Sequence, residues 1–187
     1  MKLISKFFVL AFIASFFVSC GGDKMPASGQ VSTSFNIIYG IAASADPAPL
    51  TITSQSTPNA TINLTDVLTP SGNSDKAKYV SGSVLSNASS IAITGINAGA
   101  TLSNITFDDG VSVKGVVLND HFSGKPLVLS KDTTITAMDT NYANFLTLVG
   151  NDLASKKNIT LKATYTVANQ TTTTGKISLT IATTFGW

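Results

Sequence analysis

Residues 158–187 read NITLKATYTVANQTTTTGKISLTIATTFGW, and this stretch decides the fold class. Ile159, Leu161, Ala163, Tyr165 and Val167 alternate with Thr160, Lys162, Thr164 and Thr166. Beyond a polar link at 169–175, Ile177, Leu179, Ile181 and Phe185 alternate with Lys176, Ser178, Thr180 and Thr184. Successive side chains of a strand point to opposite faces, so each segment carries one apolar face and one hydroxyl face. The two are expected to form a terminal hairpin with one side on a core and one in water.

The period changes just upstream. Across 141–155, Tyr142, Phe145, Leu146, Val149 and Leu153 fall on one face at helical spacing. Asp139 or Thr140 can cap the start of such a helix, and Lys156 and Lys157 suit the negative end of its dipole. Further towards the N-terminus the strand pattern returns. Val31, Thr33, Phe35, Ile37, Tyr39 and Ile41 alternate until Asp46-Pro47-Ala48-Pro49 interrupts them. Short strands are expected at 50–54 and 60–64, a polar loop at 69–76, and one or two strands between Tyr79 and Ile96. A strand at 101–107 should turn at Asp108-Asp109-Gly110 into a central strand, Val111 to Leu118. Strand signals recur at 126–137. The expected fold is mainly β: a single antiparallel β-sandwich, immunoglobulin-like or related, with one short helix in the C-terminal half.

The N-terminus has a different character. Lys2 and Lys6 precede an uncharged apolar run from Phe7 to Val18. That run is shorter than the roughly 20 residues a spanning helix needs, and its order of charge then apolar stretch reads as a secretory signal. Phe17-Val18-Ser19-Cys20-Gly21-Gly22 resembles the lipobox of bacterial lipoproteins, with Phe17 standing where leucine is usual. The resemblance implies cleavage before Cys20, a diacylglyceryl group on its sulfur and acylation of its freed amine. Cys20 is the only cysteine, so an intramolecular disulfide is impossible. The expected organisation is a signal peptide at 1–19, a lipidated cysteine and tether at 20–30, and a sandwich domain at 31–187.

Lys2 and Lys6 would leave with the signal, taking the basic residues from 12 to 10 against 10 acidic ones. A chain so balanced has no electrostatic footprint for nucleic acid. Every basic residue is Lys and every acidic one Asp. Without Arg the chain lacks the planar fork that grips phosphate and carboxylate. Asp favours turns and caps, which agrees with a β-fold joined by polar loops.

The search for chemistry returns little. His121 is the sole histidine, in a polar Asn119-Asp120-His121-Phe122 segment, whereas imidazole metal sites use two or three. Asp120 beside it does not have the geometry of a triad, and no Gly-x-Ser-x-Gly elbow occurs. Asp108 and Asp109 read as turn residues, and no Asp-x-Asp-x-Asp calcium run is present. Asn-x-Ser/Thr at Asn63, Asn104 and Asn158 is the chance yield of an Asn- and Thr-rich chain. Asp132-Thr133-Thr134 is similar to the short O-glycosylation motif of Bacteroidetes envelope proteins, which implies a glycan on Thr133. The lipobox, the Ile91–Phe107 strand pair and the C-terminal helix with its hairpin together resemble small Ser/Thr-rich Bacteroidetes surface lipoproteins.

The expectation is therefore a non-enzymatic lipoprotein of the outer membrane, held through Cys20, that binds an envelope protein or a glycan or serves a structural role. No cofactor is expected. A pilus or adhesin subunit is one alternative, although a chain without Arg cannot be matured by an arginine-specific protease. A small outer-membrane β-barrel is another. Against it, half of the Phe content lies in the signal, and a barrel needs lipid-facing apolar residues on every strand.

Overall fold

A computed structural model describes residues 25–44, 49–55, 61–120, 123–136 and 140–187. They form an antiparallel β-sandwich of two five-stranded sheets. The first sheet is built on its longest pair. β1 (Gln30–Gly40) runs against β12 (Lys176–Gly186) in unbroken register, Gln30 opposite Gly186 and Gly40 opposite Lys176. On its other side β12 pairs β5 (Ser90–Thr94) near its start and β4 (Gly82–Leu85) near its end. β9 (Thr133–Thr136) adds to β5. The second sheet centres on β11 (Lys162–Ala168), between β2 (Leu50–Gln55) and β6 (Thr101–Asp108). β7 (Val116–Val117) and β8 (Val128–Leu129) pair opposite halves of β6. A two-stranded ribbon of β3 (Ile62–Asn63) and β10 (Asn158–Ile159) completes the strands. The two sheets do not close into a barrel, so the barrel alternative is not the fold adopted.

The alternation read from the sequence is what fills the interior. Ile177, Leu179, Ile181 and Phe185 face Ala163, Tyr165 and Val167 within one core, together with Phe35, Ile37 and Tyr39 from β1. The hydroxyl faces turn outward, where Ser32 and Thr184 share a hydrogen bond of 2.8 Å. The helix is present as expected: α2 (Thr140–Lys156) buries Tyr142, Phe145, Leu146, Val149 and Leu153. Phe145 stacks on Phe107 at 4.9 Å, and Phe107 meets Tyr39 at 5.7 Å. That aromatic chain joins the helix and both sheets.

Four expectations are corrected. β11 and β12 are not a hairpin: each is the centre of a different sheet, and the 169–175 link crosses the sandwich. β5 and β6, the Ile91–Phe107 pair, likewise belong to opposite sheets. Alternation reports which face is buried and leaves the hydrogen-bonding neighbour open. The 111–118 segment is not a central strand. Only Val116–Val117 pairs, at the rim, and Val111 is 60% exposed. The expected loop at 69–76 is largely helical, as α1 (Leu64–Leu68) leads into 3-10 turns at Thr69–Ser71 and Ser74–Tyr79.

One irregularity in β6 has a clear cause. Thr106 lies opposite Thr164 and Ser103 opposite Thr166, so β6 carries an extra residue between these points. Asn104 takes it up with a φ of 51°. This bulge resets the phase, letting Leu102 and Ile105 both face inward.

Candidate functional site

One polar cluster ties the loop after β6 to the end of α2. Asp109 follows β6 directly, and its Oδ1 accepts the amides of Val111, Ser112 and Val113 at 2.8, 2.9 and 2.8 Å. Its Oδ2 receives Lys156 Nζ at 3.0 Å, and Asp152, one helical turn before Lys156, receives the same ammonium at 2.9 Å. Ser112 Oγ accepts a further bond from it at 3.3 Å. Burial works against ionisation of Asp109, but the bond shared with Asp152, the amides and the Lys156 ammonium outweigh it. They hold its carboxyl below the ordinary carboxylate range. Asp152, ahead of the opposing burial, and then Asp109 hold Lys156 above the ordinary lysine range. Every oxygen of Asp109 is thus engaged by the fold itself, and the cluster works as a clamp.

A second polar centre holds the crossover. Gln170 is fully buried. Its Nε2 donates to the carbonyls of Gly95 at 2.8 Å and Thr172 at 3.2 Å, and its Oε1 accepts the Asn97 amide at 3.1 Å. Asn97 Oδ1 accepts the amides of Thr171 and Thr172 at 3.0 and 3.2 Å. Ser44 N donates to the Gln170 carbonyl at 2.6 Å, which binds the strand-β1 exit to the same point.

The opposite end of the sandwich is where the chain enters. Gly29 and Trp187 exchange two backbone hydrogen bonds, both 3.0 Å, so the terminus of β12 closes over the start of β1. The indole packs closely against Gly29, where a Cβ would come within 2.8 Å of the ring. Two open depressions of about 400 and 430 Å³ meet here and share Gln30, Ser81 and Gly186; Val84 lines one and Trp187 the other.

The residues singled out from sequence are scattered. Cys20 and His121 lie outside the described residues, as does Asp139. Thr133 opens β9 opposite Ile93, half-buried, with its hydroxyl donating to the Lys131 carbonyl at 3.1 Å. Asp120 Oδ1 accepts the Ser123 amide at 2.8 Å, a turn bond. Asn63 precedes α1 and donates to Asp66 at 3.2 Å, Asn104 is the bulge residue, and Asn158 sits in β10. Asp109 is the turn residue its Asp-Asp-Gly context predicts; its ion pair to α2 has no local sequence signal, because Lys156 lies 47 residues away. Among the described residues no three His, Cys, Asp or Glu side chains are placed to hold a metal ion. Among them, too, no helix is long and apolar enough to cross a membrane.

No protein-family model matches the chain, and no curated protein matches it. Among solved structures, it is similar to the infectious bursal disease virus Gt strain structure at 12% identity and a TM-score of 0.25, covering 88% of this chain. The Gx strain structure aligns at 11% identity and a TM-score of 0.19, covering 89% of this chain. The chain spans about a third of each, 32%. Likeness at that level carries no argument about fold or function.

Proposed function

We propose that this chain is an envelope lipoprotein, anchored in the outer membrane through lipid on Cys20, whose sandwich is a non-enzymatic binding or structural module. The observation that carries the reading is the lipobox-like Val18-Ser19-Cys20-Gly21 directly after a charged start and an apolar run, with the sole cysteine at the modifiable position. The position of the domain supports it. The strand ladder starts at Gly29, so only eight residues, 21–28, stand in sequence between Cys20 and the sandwich. One acyl chain binds a membrane only marginally and two or more hold stably, so the full lipidation is what the anchor needs.

The module's partner is an envelope protein or a glycan. The clusters around Asp109 and Gln170 spend their polar groups on the fold, which fits a scaffold rather than a reaction centre. Thr133 belongs to the same reading as a glycan acceptor, being near the surface at the start of an edge strand.

Intact mass and membrane fractionation of the native protein beside Cys20→Ala test the anchor. A diacylglyceryl-sized increment that disappears in the variant, together with release from the membrane, is expected. Two soluble, unmodified forms would remove the lipoprotein reading. The mass of the native domain with Thr133→Ala tests the glycan.

A further inference from the structure

Resting on the reading that Cys20 is lipidated, we infer that the end of the sandwich carrying Gly29 and Trp187 is seated on the lipid surface, so that the molecule stands end-on. The first argument is reach. Gly29 is nine residue steps from Cys20, and an extended chain gains at most about 3.3–3.6 Å per step, so Gly29 stays within roughly 30 Å of the lipid. β1 and β12 run in full register away from this point to Gly40 and Lys176. Eleven residues at about 3.3 Å place the crossover link some 35 Å further out.

The second argument is the chemistry of the two ends. Around Gly29 stand Trp187 and Tyr79, each half-buried, with Met25 81% and Val84 70% exposed. Lys78 lies over the Tyr79 ring at 4.8 Å, and Ser81, two residues on, donates its amide to Gly186 at 2.9 Å. Trp and Tyr with an adjoining Lys are the side chains that settle at the boundary between headgroups and acyl chains. At the far end Thr171, Thr172, Thr173 and Thr174 surround the Asn97–Gln170 network, and hydroxyl loops gain nothing from leaving water. Leu50 and Val128 are exposed beside that link, 47% and 65%, but among the described residues no Tyr or Trp there leaves the core, so the interfacial aromatics belong to the other end. The lipid-facing end is therefore the Trp187 end, and the threonine link is the end presented to a partner.

Trp187 is the only tryptophan, so intrinsic fluorescence reports this end alone. The full lipidated chain is reconstituted into phosphatidylethanolamine–phosphatidylglycerol vesicles with or without bromine on the acyl chains. Emission is expected to fall by about half in the brominated vesicles, as for an indole held at the interface. A second protein, Trp187→Phe with Thr173→Trp, moves the reporter to the far end and is expected to keep its emission. A chain that carries the lipid mass and floats with vesicles, yet is unquenched at Trp187, overturns the orientation and leaves the anchor intact. Equal quenching at both positions also overturns it. A chain without the lipid increment that fails to float overturns the anchor reading and this inference with it.

Discussion

Tyr39 and Tyr165 hydrogen-bond across the sandwich in opposite directions. Tyr39, on β1 of the first sheet, donates its hydroxyl to the Leu161 carbonyl at 3.1 Å, just before β11 of the second. Tyr165, on β11, donates to the Gly40 carbonyl at 2.9 Å and accepts the Ala42 amide at 2.9 Å, at the exit of β1. Each ring is fully buried and carries its polar tip to the opposite sheet, so the pair fixes how the sheets lie over each other.

The two substitutions to phenylalanine should differ. Tyr39→Phe removes one bond and is expected to cost about 1 kcal/mol, while Tyr165→Phe strands both an amide and a carbonyl and should cost about 2 kcal/mol. Urea unfolding of the residue 25–187 domain measures both. Burial raises both phenols above their ordinary value of 10.0. The folded state therefore holds protons that the unfolded chain releases above pH 10. Stability from these groups is complete below that pH and falls as pH rises beyond it. Each variant should weaken this alkaline decline.

Asp109 makes the opposite linkage. Its folded carboxyl titrates below the ordinary carboxylate range, so its contribution is complete above the unfolded value near 4 and disappears as pH falls. Asp109→Asn keeps an oxygen for the three amides and loses the ammonium partner, whereas Asp109→Ala abandons both. Alanine is expected to cost about 3 kcal/mol and asparagine about 1–2 kcal/mol. Melting at pH 6 and pH 3 should show a smaller acid drop for Asp109→Asn than for the native protein. An equal drop would mean that other carboxylates set the acid limb.

Much of the fold was legible because burial has a period. The apolar positions of 159–185 and of α2 are buried as their spacing requires. Pairing was less legible, since Ile177 or Tyr165 would alternate identically in either sheet. The available signal was the length of the link at 169–175, longer than the two to five residues usual in a hairpin. α1 and the turns after it leave little trace in the sequence, because Thr, Pro, Ser and Gly dominate 69–74 and a five-residue helix spans too little of a period. For the candidate sites, the expectation at Cys20 rests on a local motif, the kind of signal a sequence displays directly. The Asp109–Lys156 and Asn97–Gln170 contacts depend on tertiary proximity, which no local pattern carries.

Two glycines with nearly the same φ separate conformational from packing cost. Gly95 has a φ of 74° and Gly110 a φ of 77°. An added Cβ at Gly110 meets nothing within 4 Å, while at Gly95 it comes within 2.9 Å of the Thr174 carbonyl oxygen and the Gly175 backbone. Gly110→Ala should cost only the left-handed penalty, about 1 kcal/mol. Gly95→Ala must also push the crossover link aside and should cost at least about 2 kcal/mol. Thermal unfolding of both variants measures the difference, and equal losses would show that the link yields freely.

Gln170 gives the sharpest test of what holds the crossover, because its amide has a donor end and an acceptor end that are used differently. Its nitrogen serves the Gly95 and Thr172 carbonyls, and its oxygen serves the Asn97 amide. Gln170→Leu leaves all three groups dry and is expected to cost about 2–4 kcal/mol. Gln170→Glu is nearly the same shape, but an ionised carboxylate would present oxygen to two carbonyls in a fully buried place. That setting raises the carboxyl's folded value above its unfolded one, so stability is retained below about pH 4 and lost as pH rises. The variant should therefore approach native stability on acidification, the reverse of the trend at Asp109. If Gln170→Glu is instead as stable as the native protein at pH 7, water reaches this centre, and the crossover is held by its backbone bonds alone.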